Sequence, residues 1–363
     1  NLNELKTFLI GRLFLYYAVI SSRLRLTILF RKDDVIMTTN HQIQLDTEHN
    51  WHAVSGEIPT PKPEELLIKV RASSVNPVDL KRRASTTTIL GYDGYGTVQA
   101  VGATVTNFQP GDVVFYAGST QIDGSFQHYQ CVPAAICALA PSTISAAEIA
   151  GLPLVSLTAY ELLFEKLGFT AEQNANRGKQ LLIINGAGGV GSILSQLAKW
   201  AGFTVTATSS LTHFDWLKTN GVDHPLDYHS PSSLDNLASL PDNTFDAIAV
   251  LYDIESYLQE VARLIKPFGQ VGTIVGNTHP LDLAPLKPKS ASFSFEYMFT
   301  KTDYQFQTTS QGAILQQIAR LIDARILHPI TTAHYTGLTV ANLQTITNKL
   351  LTGHATGKQG LVY

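Results

Sequence analysis

Between Leu181 and Ser192 the chain reads LLIINGAGGVGS, an apolar run that stops at four glycines in six residues. Gly186, Ala187, Gly188, Gly189, Val190 and Gly191 fit the pattern G-x-G-x-x-G. In that pattern the first glycine makes a tight turn, the second lets the backbone approach a pyrophosphate, and the third lets helix and strand pack closely. The phosphates rest on the unpaired N–H groups at the start of a helix. These six residues are therefore expected to bind a dinucleotide.

Which dinucleotide depends on the end of the following strand, where a carboxylate would hold an adenosine 2′-hydroxyl. That region reads TATSSLTHFD, with Ser209 and Ser210 in the expected place and the first acid, Asp215, further along. Small hydroxyls leave room for a 2′-phosphate and donate to it, whereas a carboxylate repels it. NADPH is expected over NADH. No Lys or Arg is adjacent, and His213 and Tyr228 are the nearest candidates to complete the site.

A dinucleotide loop needs a strand before it and a helix after it, and both are legible. LLIIN is a strand; SILSQLAKWAG places Ile193, Leu194, Leu197, Ala198 and Ala201 on one helical face before Gly202 ends it. FTVTATS, HPLDY, FDAIAVLYD and GQVGTIVG are further strands, alternating with helices at HFDWLKTNG and YLQEVARLI. That alternation implies a parallel sheet covered on both faces. Before it, from about Trp51 to Pro153, ELLIKVRASSV, GTVQAVG, GDVVFYAG and FQHYQCV are short β-rich runs separated by turns. SLTAYELLFEKLG then reads as a helix stopped by Gly168. After PLDLAPLKPKS a loop-rich segment is expected, followed by helices AILQQIARLIDARIL and ANLQTITNKLL and a last strand, GLVY.

The 363 residues exceed the usual size of one core, so two domains are expected. A net charge of -3 gives no reason to expect nucleic acid as a partner. Cys131 and Cys137 are too few for a disulfide framework, which points to a reducing, cytoplasmic setting. Residues 1–36 carry six Lys or Arg against three acids, and their apolar run is interrupted by Arg12. They are read as a non-catalytic extension, with a weak membrane anchor as the alternative. The basic triplet Lys81, Arg82, Arg83 is read as a solvated face.

SSVNPVDLKRR, LGYDGYGTVQAVG, QPGDVVFYAG, GSFQHYQCVPA, LPLVSLTAYELLF and NGAGGVGS occur in the order and near the spacing of one family. The chain resembles the medium-chain dehydrogenase/reductase superfamily. Through PLDLAPLKPKSASFSFEYMFTK it resembles the bacterial zinc-type alcohol dehydrogenase-like proteins beside the quinone oxidoreductases. The resemblance implies an α/β fold, a GroES-like β-barrel catalytic domain at 37–160 and 299–363 with a Rossmann doubly wound parallel sheet domain inserted at 161–298. It also implies that homodimers are possible.

Family alcohol dehydrogenases hold a zinc ion, and the matching positions here are Asn76, Tyr92 and Leu154. None is a normal zinc ligand, so no metal is expected. Without a Lewis acid to lower the pKa of an alcohol, the expected substrate is a small, already electrophilic molecule, a quinone or an α,β-unsaturated carbonyl. Asn76 resembles the family asparagine beside nicotinamide and substrate, and Tyr92 would point into the same cleft as a hydrogen-bond or proton donor. Asp79 and Asp93 are expected to brace local turns. Thr158 sits where the family threonine lies near the carboxamide. Ile274 and Val275, read as the end of the fifth strand, are expected to touch the nicotinamide, and SASFSFEYMF reads as an apolar cap. A carbonyl reductase, an alcohol dehydrogenase, or a cofactor-binding protein without turnover are the competing expectations.

Overall fold

Alternate side chains of a strand face opposite sides of its sheet, and Gln180–Ile184 uses that rule to bury both faces. Leu181 and Ile183 join one core with Val205, Ala207 and the helix Gly189–Ala201, while Leu182 and Ile184 join a second with Ile248, Val250 and the helix Ile254–Leu264. In the computed structural model, residues 39–46, 48, 50–81, 89–229, 237–353 and 355–363 are described. The expected extension at 1–36 and the pair Arg82 and Arg83 lie outside them.

Fifteen strands are formed by the described residues. An antiparallel pair, β1 (Asn40–Leu45) and β2 (Trp51–Gly56), comes first. Then follow β3 (Glu65–Ser74), β4 (Asp93–Val101), β5 (Val113–Ala117), β6 (Tyr129–Pro133) and β7 (Cys137–Leu139). β8 (Gln180–Ile184), β9 (Thr204–Ser209), β10 (His224–Asp227), β11 (Phe245–Val250), β12 (Ile265–Thr273) and β13 (Ser292–Phe295) alternate with helices. β14 (Thr331–Thr336) and β15 (Lys358–Val362) close the chain.

β8 to β13 form one parallel sheet in the order β10-β9-β8-β11-β12-β13. This is the doubly wound Rossmann order, in which the chain reverses direction across the sheet beside β8, so a crevice for ligand opens at the carboxyl end of that strand. The mixed sheet β14-β15-β3-β4-β5-β7, with β6 on β3, is assembled from the early β-rich segment and the last strands of the chain. The GroES-like fold is thus completed only after the parallel sheet has been inserted.

Three strands were not expected: β1, which precedes the β-rich segment read from about Trp51, and two that lie beyond β12. SFSF, read as loop, is β13, the sixth parallel strand, paired from Ser292 to Phe295 with β12. Thr331–Thr336 pairs with β15 despite a half-exposed alternating pattern. The apolar stretch Ala146–Lys166 is long and hydrophobic enough to span a bilayer, but most of it is buried inside the protein, as a core helix would be. It ends at Gly168, whose φ of 72° suits a residue without Cβ.

The helix Gly189–Ala201 carries the expected stripe: Ile193, Leu194, Leu197, Ala198 and Ala201 are fully buried. Each large aliphatic side chain there contributes roughly 1.5–3 kcal/mol by leaving water. Gly202, at φ 99°, terminates the helix in the left-handed region.

Candidate active site

The glycine loop divides its labour differently from the simple pattern. Asn185, at φ 69°, makes the tight turn, rather than Gly186. Its N–H donates to Thr208 Oγ1 (2.9 Å) and the Gly186 N–H to the Thr208 carbonyl (2.9 Å), which staples the loop to the end of β9. Gly186 is required for clearance: a Cβ there would stand 2.7 Å from Ala207 Cβ. A Cβ on Gly191 would fall 2.5 Å from the Gly186 carbonyl oxygen. A Cβ on Gly188 would meet nothing within 4 Å. Gly188 is also the N-cap of the helix Gly189–Ala201, so the one motif glycine facing open space lies where helix N–H groups are unpaired.

Ala187 is buried and its carbonyl accepts from the Gly357 N–H at 3.0 Å. Gly189 is hemmed in, since a Cβ would lie 3.0 Å from both Lys358 Cδ and Val155 Cγ1. Val190 is half-buried. Behind the loop, Trp216 Nε1 donates to Ser192 Oγ (2.9 Å), which in turn donates to the Gly188 carbonyl (2.9 Å).

At the end of β9 the residues expected to hold a 2′-phosphate come together. His213 Nδ1 stands 3.2 Å from Ser210 Oγ and 3.4 Å from Ser209 Oγ. Its Nε2 lies 3.0 Å from Thr356 Oγ1, a partner the sequence did not suggest. Tyr228 donates its N–H to the Ser209 carbonyl at 3.3 Å, and its ring is 47% exposed and 4.0 Å from that of His229. No carboxylate or strong cation joins these contacts among the described residues.

Asn76 sits at the end of β3, just before Pro77 opens the short helix Pro77–Lys81. Its N–H donates to Asp79 Oδ2 (2.7 Å), and Asp79 Oδ1 accepts from the Gly91 N–H (2.9 Å), so Asp79 braces this turn as expected. Burial pushes the Asp79 carboxyl up to about 7, against the pull of those two donors. Asp93 reaches further than a local turn. Fully buried, it accepts from Ser74 Oγ, from Asn76 Nδ2 (2.8 Å), from the Leu154 N–H (2.8 Å) and from Lys358 Nζ (3.1 Å). Four donors from three chain segments therefore converge on one carboxylate. The Leu154 N–H belongs to the first turn of the helix Pro153–Tyr160, where no intrahelical acceptor exists.

Lys358 was not among the residues chosen from sequence. It opens β15, its side chain is only 5% exposed, and its Nζ lies 2.5 Å from Asn76 Oδ1. The available signal was a lysine two residues ahead of the last apolar run, GLVY, and lysine is almost never buried without a partner.

The other expected contacts are placed as follows. Thr158 is buried and donates to the Leu154 carbonyl (2.8 Å), leaving its oxygen able to accept. Ile274 and Val275 are not in the fifth parallel strand; β12 ends at Thr273 and they form the bend beyond its carboxyl end, both half-buried. Tyr92 is 1% exposed and packs edge-to-face on Phe299 with centroids 4.9 Å apart, so its ring is enclosed instead of lining an open cleft. Of the expected aromatic cap, Phe295 and Tyr297 are exposed, while Met298 and Phe299 are buried against Tyr92.

The residues at the family's zinc positions do not fit that metal. Asn76 has its amide oxygen on an ammonium and its amide nitrogen on a carboxylate, Tyr92 is packed against Phe299, and Leu154 has no donor side chain. A divalent cation here would also face the Lys358 charge. Among the described residues no group of three His, Cys, Asp or Glu is placed to hold a metal.

The chain matches the family model of the alcohol dehydrogenase GroES-like domain over residues 62–142 and that of zinc-binding dehydrogenases over residues 220–359. It is 41% identical over 291 residues to a zinc-type alcohol dehydrogenase-like protein of Staphylococcus aureus, covering 78% of this chain and 86% of that one. It is 31% identical over 318 residues to the chloroplastic NADPH-dependent alkenal/one oxidoreductase of Arabidopsis thaliana, covering 83% of this chain and 72% of the relative. A solved Rhizobium etli structure named for zinc-dependent alcohol dehydrogenases superposes with a TM-score of 0.82 at 31% identity, covering 90% of this chain and 98% of the other.

Proposed function

Because the chain belongs to the medium-chain dehydrogenase/reductase superfamily, a family of oxidoreductases, we propose that it is an NADPH-dependent, zinc-independent reductase of quinones or α,β-unsaturated carbonyls. The observation that carries this reading is the side-chain set at the zinc positions, an amide, an enclosed phenol and an aliphatic chain around the Asp93 carboxylate. Such a set can orient an acceptor and donate one hydrogen bond, which suits an acceptor that is electron-poor before it binds. The Arabidopsis relative, named for alkenals and alkenones, supports the same acceptor class.

NADPH bound at the glycine loop would supply the hydride for the conjugated carbon of such an acceptor, with solvent supplying the proton that completes the reduction. The chain's own residues do the rest. Gly188 leaves room for the pyrophosphate at the helix N-terminus. Ser209, Ser210 and His213, with Tyr228 beside them, form a hydroxyl and imidazole pocket that accommodates a 2′-phosphate without a repelling carboxylate. Thr158, Ile274 and Val275 bound the nicotinamide. The free N–H of the Asn76 amide meets the developing oxyanion, where a fixed donor in a dry site stabilises charge best.

A cytoplasmic setting accords with two thiols left unpaired, Cys131 and Cys137, the first raised to about 12 by burial. Among the described residues β13 is an edge strand of the parallel sheet, and that edge is where a second copy would join to make a homodimer.

Steady-state oxidation of NADPH by the purified protein with a simple quinone and with an α,β-unsaturated ketone tests the proposal. Turnover with either is expected, and NADPH is expected to outperform NADH. Comparable rates on simple alcohols with NADP would favour an alcohol dehydrogenase, and binding without turnover a silent cofactor-binding protein. Asn76→Ala is expected to lower turnover at least about 100-fold, as loss of one oxyanion donor does, while leaving NADPH affinity within about threefold; unchanged turnover would remove Asn76 from the site.

A further inference from the structure

We infer that Lys358 is a positioning residue: it locks the Asn76 amide in one orientation and ties it to the glycine loop. The inference rests on the function proposed above for its consequence in turnover, but not for the geometry.

A buried ammonium survives only if its donors are satisfied. Lys358 Nζ has three donors and three acceptors around it, Asn76 Oδ1 at 2.5 Å, Asp93 Oδ2 at 3.1 Å and the Val75 carbonyl at 3.4 Å. Asp93 Oδ2 also accepts from Asn76 Nδ2 at 2.8 Å. Lysine, asparagine and aspartate thus form a closed ring of hydrogen bonds. Turning the amide over would set NH₂ against the ammonium and carbonyl against the carboxylate, so only one orientation is stable. In that orientation one Nδ2 hydrogen remains, and the charge on Lys358 polarises the amide that donates it. The second carboxyl of the neighbourhood, Asp79, faces the backbone N–H groups of Asn76 and Gly91 and leaves the ring intact.

The other end of the same residue reaches the glycine loop. Its Cδ would stand 3.0 Å from a Cβ on Gly189, and the preceding Gly357 bonds its N–H to the Ala187 carbonyl. One side chain therefore spans from the loop expected to hold pyrophosphate to the amide expected to meet substrate. It also places a fixed monovalent cation among the positions where the family's alcohol dehydrogenases keep their metal.

A double-mutant cycle separates positioning from bulk stability. Lys358→Met keeps the stem against Gly189 and removes the charge. Turnover is expected to fall about tenfold with the acceptor KM and the NADPH Kd each within threefold of wild type. Because Lys358 acts through Asn76, the Lys358→Met/Asn76→Ala enzyme should turn over within threefold of Asn76→Ala alone. Multiplicative losses, or a Lys358→Met enzyme with wild-type turnover, would overturn the inference. Lys358→Arg, which keeps the charge, is expected to recover at least a third of wild-type turnover, and a loss equal to that of Lys358→Met also counts against it. Should Lys358→Met not fold, the wild-type protein still decides the matter. Nitrogen-15 spectra should show the Asn76 side-chain protons exchanging with solvent at least about 100-fold more slowly than those of exposed asparagines, and exposed-like exchange would contradict a locked amide. A wild type that oxidises NADPH with neither acceptor overturns the proposed function alone, since amide exchange needs no turnover.

Discussion

Gly188 and Gly191 lie three residues apart and are held to glycine by opposite circumstances. A methyl at Gly191 would press on the Gly186 carbonyl at 2.5 Å, whereas a methyl at Gly188 would enter open space. Gly191→Ala is therefore expected to destabilise the fold by about 1–3 kcal/mol, the usual cost of overpacking, seen as a lower Tm. Gly188→Ala should leave Tm within about a degree and weaken NADPH about tenfold in a fluorescence titration, roughly 1.4 kcal/mol. At the neighbouring subsite, Ser210→Asp should weaken NADPH at least about tenfold more than NADH, because a carboxylate faces the 2′-phosphate. Equal effects on both cofactors in binding assays would move the phosphate site elsewhere. Both glycine roles were legible from their place in the motif, but the left-handed turn at Asn185 was not. Asparagine tolerates positive φ in many settings, so its presence before Gly186 carried no distinct signal.

At the scale of elements, the π-helical turn Glu161–Lys166 faces the residue after β13. Glu161 and Glu296 are both buried there, with Lys301 bridging Glu161 (3.2 Å) and Glu165 (2.8 Å), and Gln311 Nε2 donating to Glu161 (3.2 Å). Burial, and then the charge of Glu161, raises the Glu296 carboxyl from 4.5 to about 9. A carboxyl whose pKa is raised by folding favours the fold when protonated. Its contribution is complete below about pH 4.5 and is lost as pH climbs through about 9. Wild-type Tm should accordingly decline between about pH 5 and 9, while Glu296→Gln, uncharged throughout, should decline less and melt a few degrees higher at the alkaline end. Parallel Tm-versus-pH curves for the two proteins would show that Glu296 is not held protonated. SFSF gave little hint of β13 because four residues of alternating serine and phenylalanine, flanked by proline, lysine and glutamate, read equally well as loop. The strand exists because β12 offers it an unpaired edge.

Across the whole molecule, the early β-rich segment and the parallel sheet meet through the last strand. Gly357, at φ 57°, bonds to Ala187, and a Cβ there would stand 2.3 Å from the Ile330 carbonyl oxygen. Gly357→Val is expected to lower Tm and NADPH affinity together, by several degrees and at least about tenfold, since the same backbone supports fold and loop; a drop in Tm with unchanged affinity would uncouple them. By itself the amino-acid sequence determined the alternation of strands and helices, the glycine loop and the serines after β9. These are local matters, written in periodicity, residue size and donor chemistry over a few consecutive positions. Tertiary structure alone decided that Thr356 reaches His213, that Tyr92 is shut behind Phe299, and that Lys358 pairs with Asn76. Each of those contacts joins residues more than a hundred positions apart, and no local pattern encodes a partner that only chain closure brings within hydrogen-bonding distance.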